Sequence, residues 1–135
     1  MFDTKFVIVV RQDLETWQKL NVTAFLTSGV VAKAPEIIGE PYLDGDGNIY
    51  NSLTVQPVIV LAADGATLIK IHRRALGRAV AMSLYIADMF ETGHDAANRA
   101  AVLARGVDDL DIVGLALRDE RKVVDKVTKG ARMHP

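Results

Sequence analysis

The residues with the most chemical potential lie in one short run, Asp88-Met89-Phe90-Glu91-Thr92-Gly93-His94-Asp95. Asp88 and His94 are the right types for a general acid/base pair, in which one group takes a proton and the other returns it. Asn98 and Arg99 follow four residues after His94 and Asp95, the spacing that sets side chains side by side on a helix. Thr92, Asn98 and Arg99 are then candidate substrate contacts. The competing reading is capping, with Thr92 and Asp95 satisfying free N–H groups at a helix start.

A second group sits near the N-terminus. Lys19, Thr23 and Thr27 recur at i, i+4 and i+8, which makes one narrow polar line on an otherwise apolar helix. Either Lys19 snorkels from a solvated strip, or the line walls a cleft. In the cleft reading Lys19 stabilises developing negative charge as a third catalytic residue, and Thr23 contacts substrate.

A third group is basic. Lys70, Arg74 and Arg78 are spaced i, i+4 and i+8, with His72 and Arg73 beside them. Such a run is a solvated face or a backbone-binding face for RNA.

Other chemistries lack their residues. The chain has no cysteine, so disulfides, thiolate metal sites and cysteine nucleophiles are excluded. No Gly-x-Ser-x-Gly elbow and no glycine-rich phosphate loop occurs. The three histidines are scattered, and neither a metal nor a cofactor is expected. Asp44-Gly45-Asp46-Gly47-Asn48 begins like a calcium loop. Ile49 then stands where glycine must turn, and Val55 where the bidentate glutamate must be, so a plain turn is expected.

Four apolar runs must position these groups: Phe6–Val10, Val58–Leu61, Ala79–Ile86 and Ile112–Leu117. Continuous rather than alternating apolarity suggests strands buried on both faces. Gly114, inside the last run, marks a close backbone approach. Helical patterns lie between. The first runs from about Leu14 to Val31 behind an Asp13 cap. The second follows Asp64, with Leu68, Ile71 and Ala75 inward and Gly77 near its end. Thr92 caps the third, which runs to Gly106. Asp119 opens the fourth, whose Val123, Val124 and Val127 face inward before Gly130. Pro41–Leu43 and Ile49–Asn51 pair as a hairpin about the Asp44–Asn48 turn.

The 135 residues suit a single domain, 1–135, with an inserted hairpin segment at about 40–53. The expected fold class is three-layer α/β/α around a mixed or parallel four-stranded sheet. A formal net charge of −1 gives no global attraction to nucleic acid, and no DNA partner is expected. The N-terminus lacks a signal-peptide layout and no run spans a bilayer, so a cytoplasmic protein without membrane contact is expected. The first helix is apolar most of the way round, with Trp17, Leu20, Phe25 and Leu26 spread over its circumference. That implies cover by the hairpin segment or by a second subunit, and a homodimer or larger is expected.

Short motifs point further. Lys5-Phe6-Val7-Ile8-Val9-Val10-Arg11-Gln12-Asp13-Leu14, Gln56-Pro57-Val58-Ile59-Val60-Leu61 and Val124-Asp125-Lys126-Val127-Thr128 resemble type II peptidyl-tRNA hydrolases. Trp17–Leu26, Asp88-Met89-Phe90 and Gly93–Arg99 resemble a set of uncharacterised, mostly bacterial proteins related in structure to that hydrolase. The resemblance implies the hydrolase-like fold and an ester hydrolase site. Lys19 matches the one lysine retained from the family's Gly-Lys-Gly-Lys loop, and Asp88, one residue out of step, its acidic group. Trp17 and Gln18 replace the basic loop, while Phe25 and Leu26 stand near the family's serine and histidine. The expected activity is therefore a hydrolase with a reshaped site on an unknown small-molecule or RNA substrate. The alternatives are a non-catalytic homo-oligomeric binding module and RNA binding through the basic helix.

Overall fold

The computed structural model describes residues 2–135. In chain order the elements are β1 (Thr4–Arg11), α1 (Thr16–Lys33), β2 (Tyr42–Leu43), β3 (Ile49–Tyr50), β4 (Val58–Ala63), α2 (Gly65–Gly77), β5 (Met82–Ile86), α3 (Asp95–Leu103), β6 (Ile112–Glu120), α4 (Arg121–Val127) and β7 (Arg132–Met133).

Five strands form one mixed sheet in the order β5-β6-β1-β4-β7. β1 and β4 are parallel, while β1/β6, β5/β6 and β4/β7 are antiparallel. Two antiparallel steps make β5 run with β1, so β1, β4 and β5 end on the same side. The four apolar runs of the sequence are all strands. β7, two residues long and pairing at Leu61 and Ala62, is too short to leave a sequence pattern.

β1 is apolar throughout because both sheet faces are covered. Val7 and Val9 join a core with Leu68, Ile71 and Ala75 of α2 and Val124 and Val127 of α4. Phe6, Ile8 and Val10 face the other way, against Val22, Leu26 and Val30 of α1. The strand's period of two thus feeds two helix layers. Gly114 lets α1 approach: a Cβ there would stand 2.7 Å from Val22 Cγ1 and 3.2 Å from the Val9 carbonyl oxygen.

Several boundaries differ from the sequence expectation. Asp13 does not cap α1; its carboxylate accepts from Arg11 Nε at 2.7 Å. The helix starts at Thr16, where Gln18 Oε1 accepts the Glu15 N–H at 2.9 Å. Pro35, lacking an N–H, follows its end. Asp64 caps α2 as expected, accepting from the Thr67 N–H at 2.8 Å. β5 begins at Met82 rather than Ala79, because Ala79 takes φ 54° and turns the chain out of α2. His94, not Thr92, caps α3, which ends at Leu103, short of Gly106. β6 continues through Asp119, so α4 opens at Arg121.

The hairpin forms as expected, with Tyr42 opposite Tyr50 and Leu43 opposite Ile49. The Ile38–Thr54 bridge closes its base. Asp44 organises the turn by accepting from the Asp46 and Asn48 N–H groups, Asn48 Nδ2 and Tyr50 Oη at 2.7–3.0 Å. Those bonds hold the Asp44 carboxyl far below the usual carboxylate range. The carboxylate is committed to the turn.

Candidate functional site

β5 is an outer strand, paired on one side only. Along its free side runs a groove of about 870 Å³, bounded by α1, the 3₁₀ turn Ala87–Glu91 and α3. That volume suits a small organic ligand. The groove begins at the C-terminal end of β5, where parallel strands release their connections.

Its wall is a chain of aromatic rings supplied by separate elements. Trp17 meets Phe90 edge-on, with centroids 5.8 Å apart. Phe90 lies 5.2 Å from Tyr85, which lies 6.0 Å from Phe25. Such spacings suit offset and edge-to-face packing. Tyr85 is 5% exposed, while Trp17 and Phe25 are 59% and 56% exposed. The inner ring is therefore anchored and the outer two are free to cover a ligand. Burial pushes the Tyr85 hydroxyl pKa upward, so it stays protonated and donates to Asn21 Oδ1 at 3.4 Å.

The other wall is polar. Thr92, His94, Asp95, Asn98 and Arg99 all line the groove. Thr92 Oγ1 donates to the Met89 carbonyl at 2.9 Å and touches the Asn98 side-chain amide. His94 Nδ1 accepts the Ala97 N–H at 3.2 Å, capping α3. With that nitrogen accepting, the neutral ring carries its proton on Nε2. It offers the groove a donor and no free basic nitrogen. Arg99 Nε pairs with Asp95 at 2.7 Å, leaving its terminal amino groups for a ligand.

The remaining candidates lie elsewhere. Lys19 and Thr23 are on the flank of α1 turned from the groove; Thr23 Oγ1 donates to the Lys19 carbonyl at 2.7 Å and Thr27 Oγ1 to the Thr23 carbonyl at 2.8 Å. The polar line is a set of helix back-bonds. Asp88 faces a second hollow, with Ala101, Ala104, Arg105 and Asp109. Arg105 donates to its carboxylate and holds it below the ordinary acid range. The structure thus joins His94, Thr92, Asn98 and Arg99 and separates them from Lys19, Thr23 and Asp88. Among the described residues no group of three or more His, Asp or Glu side chains gathers as a metal site.

Their spacing gives Trp17 and Phe25 no role beyond an apolar helix surface covered by the hairpin segment or a second subunit, and gives Tyr85 and Phe90 none. Trp17 and Phe25 stand on α1, Tyr85 on β5 and Phe90 on the turn after it, and they become a shared wall only because β5 is the sheet edge.

On the basic helix, Arg73 pairs with Asp108 at 3.0 Å, and Arg74 donates to the Val127 and Lys129 carbonyls at 3.2 and 2.7 Å. Arg74 therefore ties α2 to the end of α4 instead of facing a polyanion. Among the described residues no helix is long and apolar enough to cross a membrane.

Fold and groove together define a mixed α/β protein with an aromatic-walled cleft on the edge of its sheet. The chain belongs to DUF2000, a family of proteins of unknown function, whose model matches residues 4–135. It is similar over 100% of both chains to a solved protein of unknown function from Agrobacterium tumefaciens, at 58% identity and a TM-score of 0.98. No curated protein sequence matches it significantly.

Proposed function

We propose that the chain is a non-catalytic binding module whose groove takes a small organic ligand with a flat apolar body and an anionic or hydrogen-bond-accepting end. The observation that carries this reading is the Trp17–Phe90–Tyr85–Phe25 ring series facing the donors of His94 and Arg99 across one groove. Rings contribute apolar area with little entropy cost, and a charge-assisted bond from Arg99 orients the ligand.

A hydrolase needs a base, a placed water and oxyanion stabilisation in one place. In the groove His94 Nδ1 is engaged by the Ala97 N–H and the one lining carboxylate, Asp95, is paired with Arg99, while Asp88 lines a separate hollow. The resemblance to type II peptidyl-tRNA hydrolases therefore supports a related layout, with its reaction site reshaped for binding. The Agrobacterium relative supports a bacterial setting.

Trp17 is the sole tryptophan and lines the groove, so its fluorescence reports occupancy. The probe is 1-anilinonaphthalene-8-sulfonate, a flat ring system bearing one anion. Saturable one-site binding with quenching of Trp17 is expected. Phe90→Ala and Arg99→Ala should each weaken it about tenfold, the effect of one good contact. Lys19→Ala and Ile49→Asp, away from the groove, should leave it unchanged. Non-saturable binding, or binding indifferent to Phe90 and Arg99, overturns the proposal.

A further inference from the structure

The hairpin is an apolar arm with no core of its own. Tyr42, Leu43, Ile49, Tyr50, Leu53 and Val55 are 53–74% exposed. Tyr42 pairs with Tyr50 and Leu43 with Ile49, so the two pairs point to opposite faces of the ribbon, and at ~200 Å² per large side chain the six present on the order of 700 Å² over both faces together. Clustered exposed apolar side chains of this kind mark an interaction site, and an isolated two-stranded hairpin is only marginally stable. This one is nevertheless rigidly built, by the Asp44 bonds at its tip and the Ile38–Thr54 bridge at its base.

Charge indicates what covers it. Residues 34–56 contain Glu36, Glu40, Asp44 and Asp46 and no lysine or arginine, a formal −4. The whole chain is −1, so the rest carries +3. The matching surface lies on the outer side of α2. There Ile69 and Leu76 are 44% and 50% exposed, spaced seven apart on one helix face. Lys70 and Arg78 are exposed near them, and Arg73, also exposed, is paired with Asp108. The arm is apolar with an acidic border and the α2 face is apolar with a basic border. Such pairing steers association and sets register.

We propose that the 39–53 arm docks on the α2 face of a second copy of this chain, giving a twofold dimer by reciprocal arm exchange. A reciprocal exchange closes on itself when a twofold axis relates the two arm contacts, each copy giving its arm to the copy that receives it. It also gives the exposed Lys70 and Arg78 side chains of α2 a partner. Neither the arm nor α2 contributes a residue to the groove on β5.

The test is charge reversal, followed by sedimentation velocity at high micromolar concentration and low salt. Wild type should sediment as a dimer. Glu40→Lys with Asp46→Lys should give monomer, as should Lys70→Glu with Arg78→Glu. All four substitutions together should restore the dimer. These side chains are exposed and outside the Asp44 turn bonds, and an unchanged circular-dichroism melt verifies folding. A monomeric wild type overturns the proposal, as does a dimer insensitive to either pair or not restored by the combination. A monomer that shifts a short single-stranded RNA through Lys70 and Arg78 would assign the basic face to RNA instead.

Discussion

Arg105 donates from both Nε and Nη2 to one carboxylate oxygen of Asp88, at 3.1 and 2.8 Å. The pair ties the 3₁₀ turn after β5 to the end of α3, and so sets how far α3 stands from the sheet edge.

With its carboxylate held by Arg105 outside the groove, Asp88→Asn should leave probe binding in the groove within twofold of wild type. Hydrogen bonds from Arg105 lower the Asp88 pKa from its usual value of about 3.9. A depressed acid contributes stability that is full above its unfolded pKa and is lost as pH falls through its folded one. Asp88→Asn should therefore reduce the drop in melting temperature between pH 5 and acid pH. If the substitution abolishes groove binding, Asp88 belongs to the site after all.

His72 is buried on α2, and its pKa is lowered first by desolvation and then by the charge of Arg73. The unfolded chain takes up this proton near pH ~6.5 while the folded chain does not until lower pH. The folded state is thus favoured fully above that value and progressively less below it. His72→Leu should flatten the fall in melting temperature between pH 7.5 and 5. A slope unchanged by the substitution would mean that the ring charges equally in both states.

Gly114 sits where β6 passes under α1. A Cβ there would press on Val22 Cγ1 at 2.7 Å, Leu26 Cδ1 at 3.1 Å and the Val9 carbonyl oxygen at 3.2 Å. Gly114→Ala should cost about 1–3 kcal/mol by denaturant titration, the usual range for overpacking. Gly45→Ala, with nothing within 4 Å, should change stability by less than about 0.5 kcal/mol. Adding Val22→Ala to Gly114→Ala should recover part of the loss, as expected for residues sharing one space. Strict additivity would place the strain elsewhere.

The two-sided burial of β1, the inward stripe of α2, the Asp64 cap and the Asp44 turn are all legible in the sequence. Each rests on neighbours within a few residues, where spacing maps directly onto geometry. Helix starts were less legible wherever two polar residues competed for one cap. Asp13 lost to an ion pair with Arg11, and Thr92 to His94 because its hydroxyl turned back to Met89. Lys19 and Thr23 looked like a cleft wall from spacing alone. Spacing says that side chains share a helix flank and nothing about which flank meets the groove.

By itself, then, the sequence determined four of the five strands of the main sheet, the four helices apart from their ends, the hairpin and the polar cluster from Thr92 to Arg99. All of these depend on short-range periodicity and turn chemistry. Only the tertiary structure decided that β5 is the sheet edge, that rings from α1, β5 and the following turn form one wall, and that Asp88 lies on the far side of α3. Strand order and layer assignment arise from contacts between residues far apart in the chain, which no local spacing encodes. They turned a suspected catalytic triad of Lys19, Asp88 and His94 into one groove residue and two remote ones.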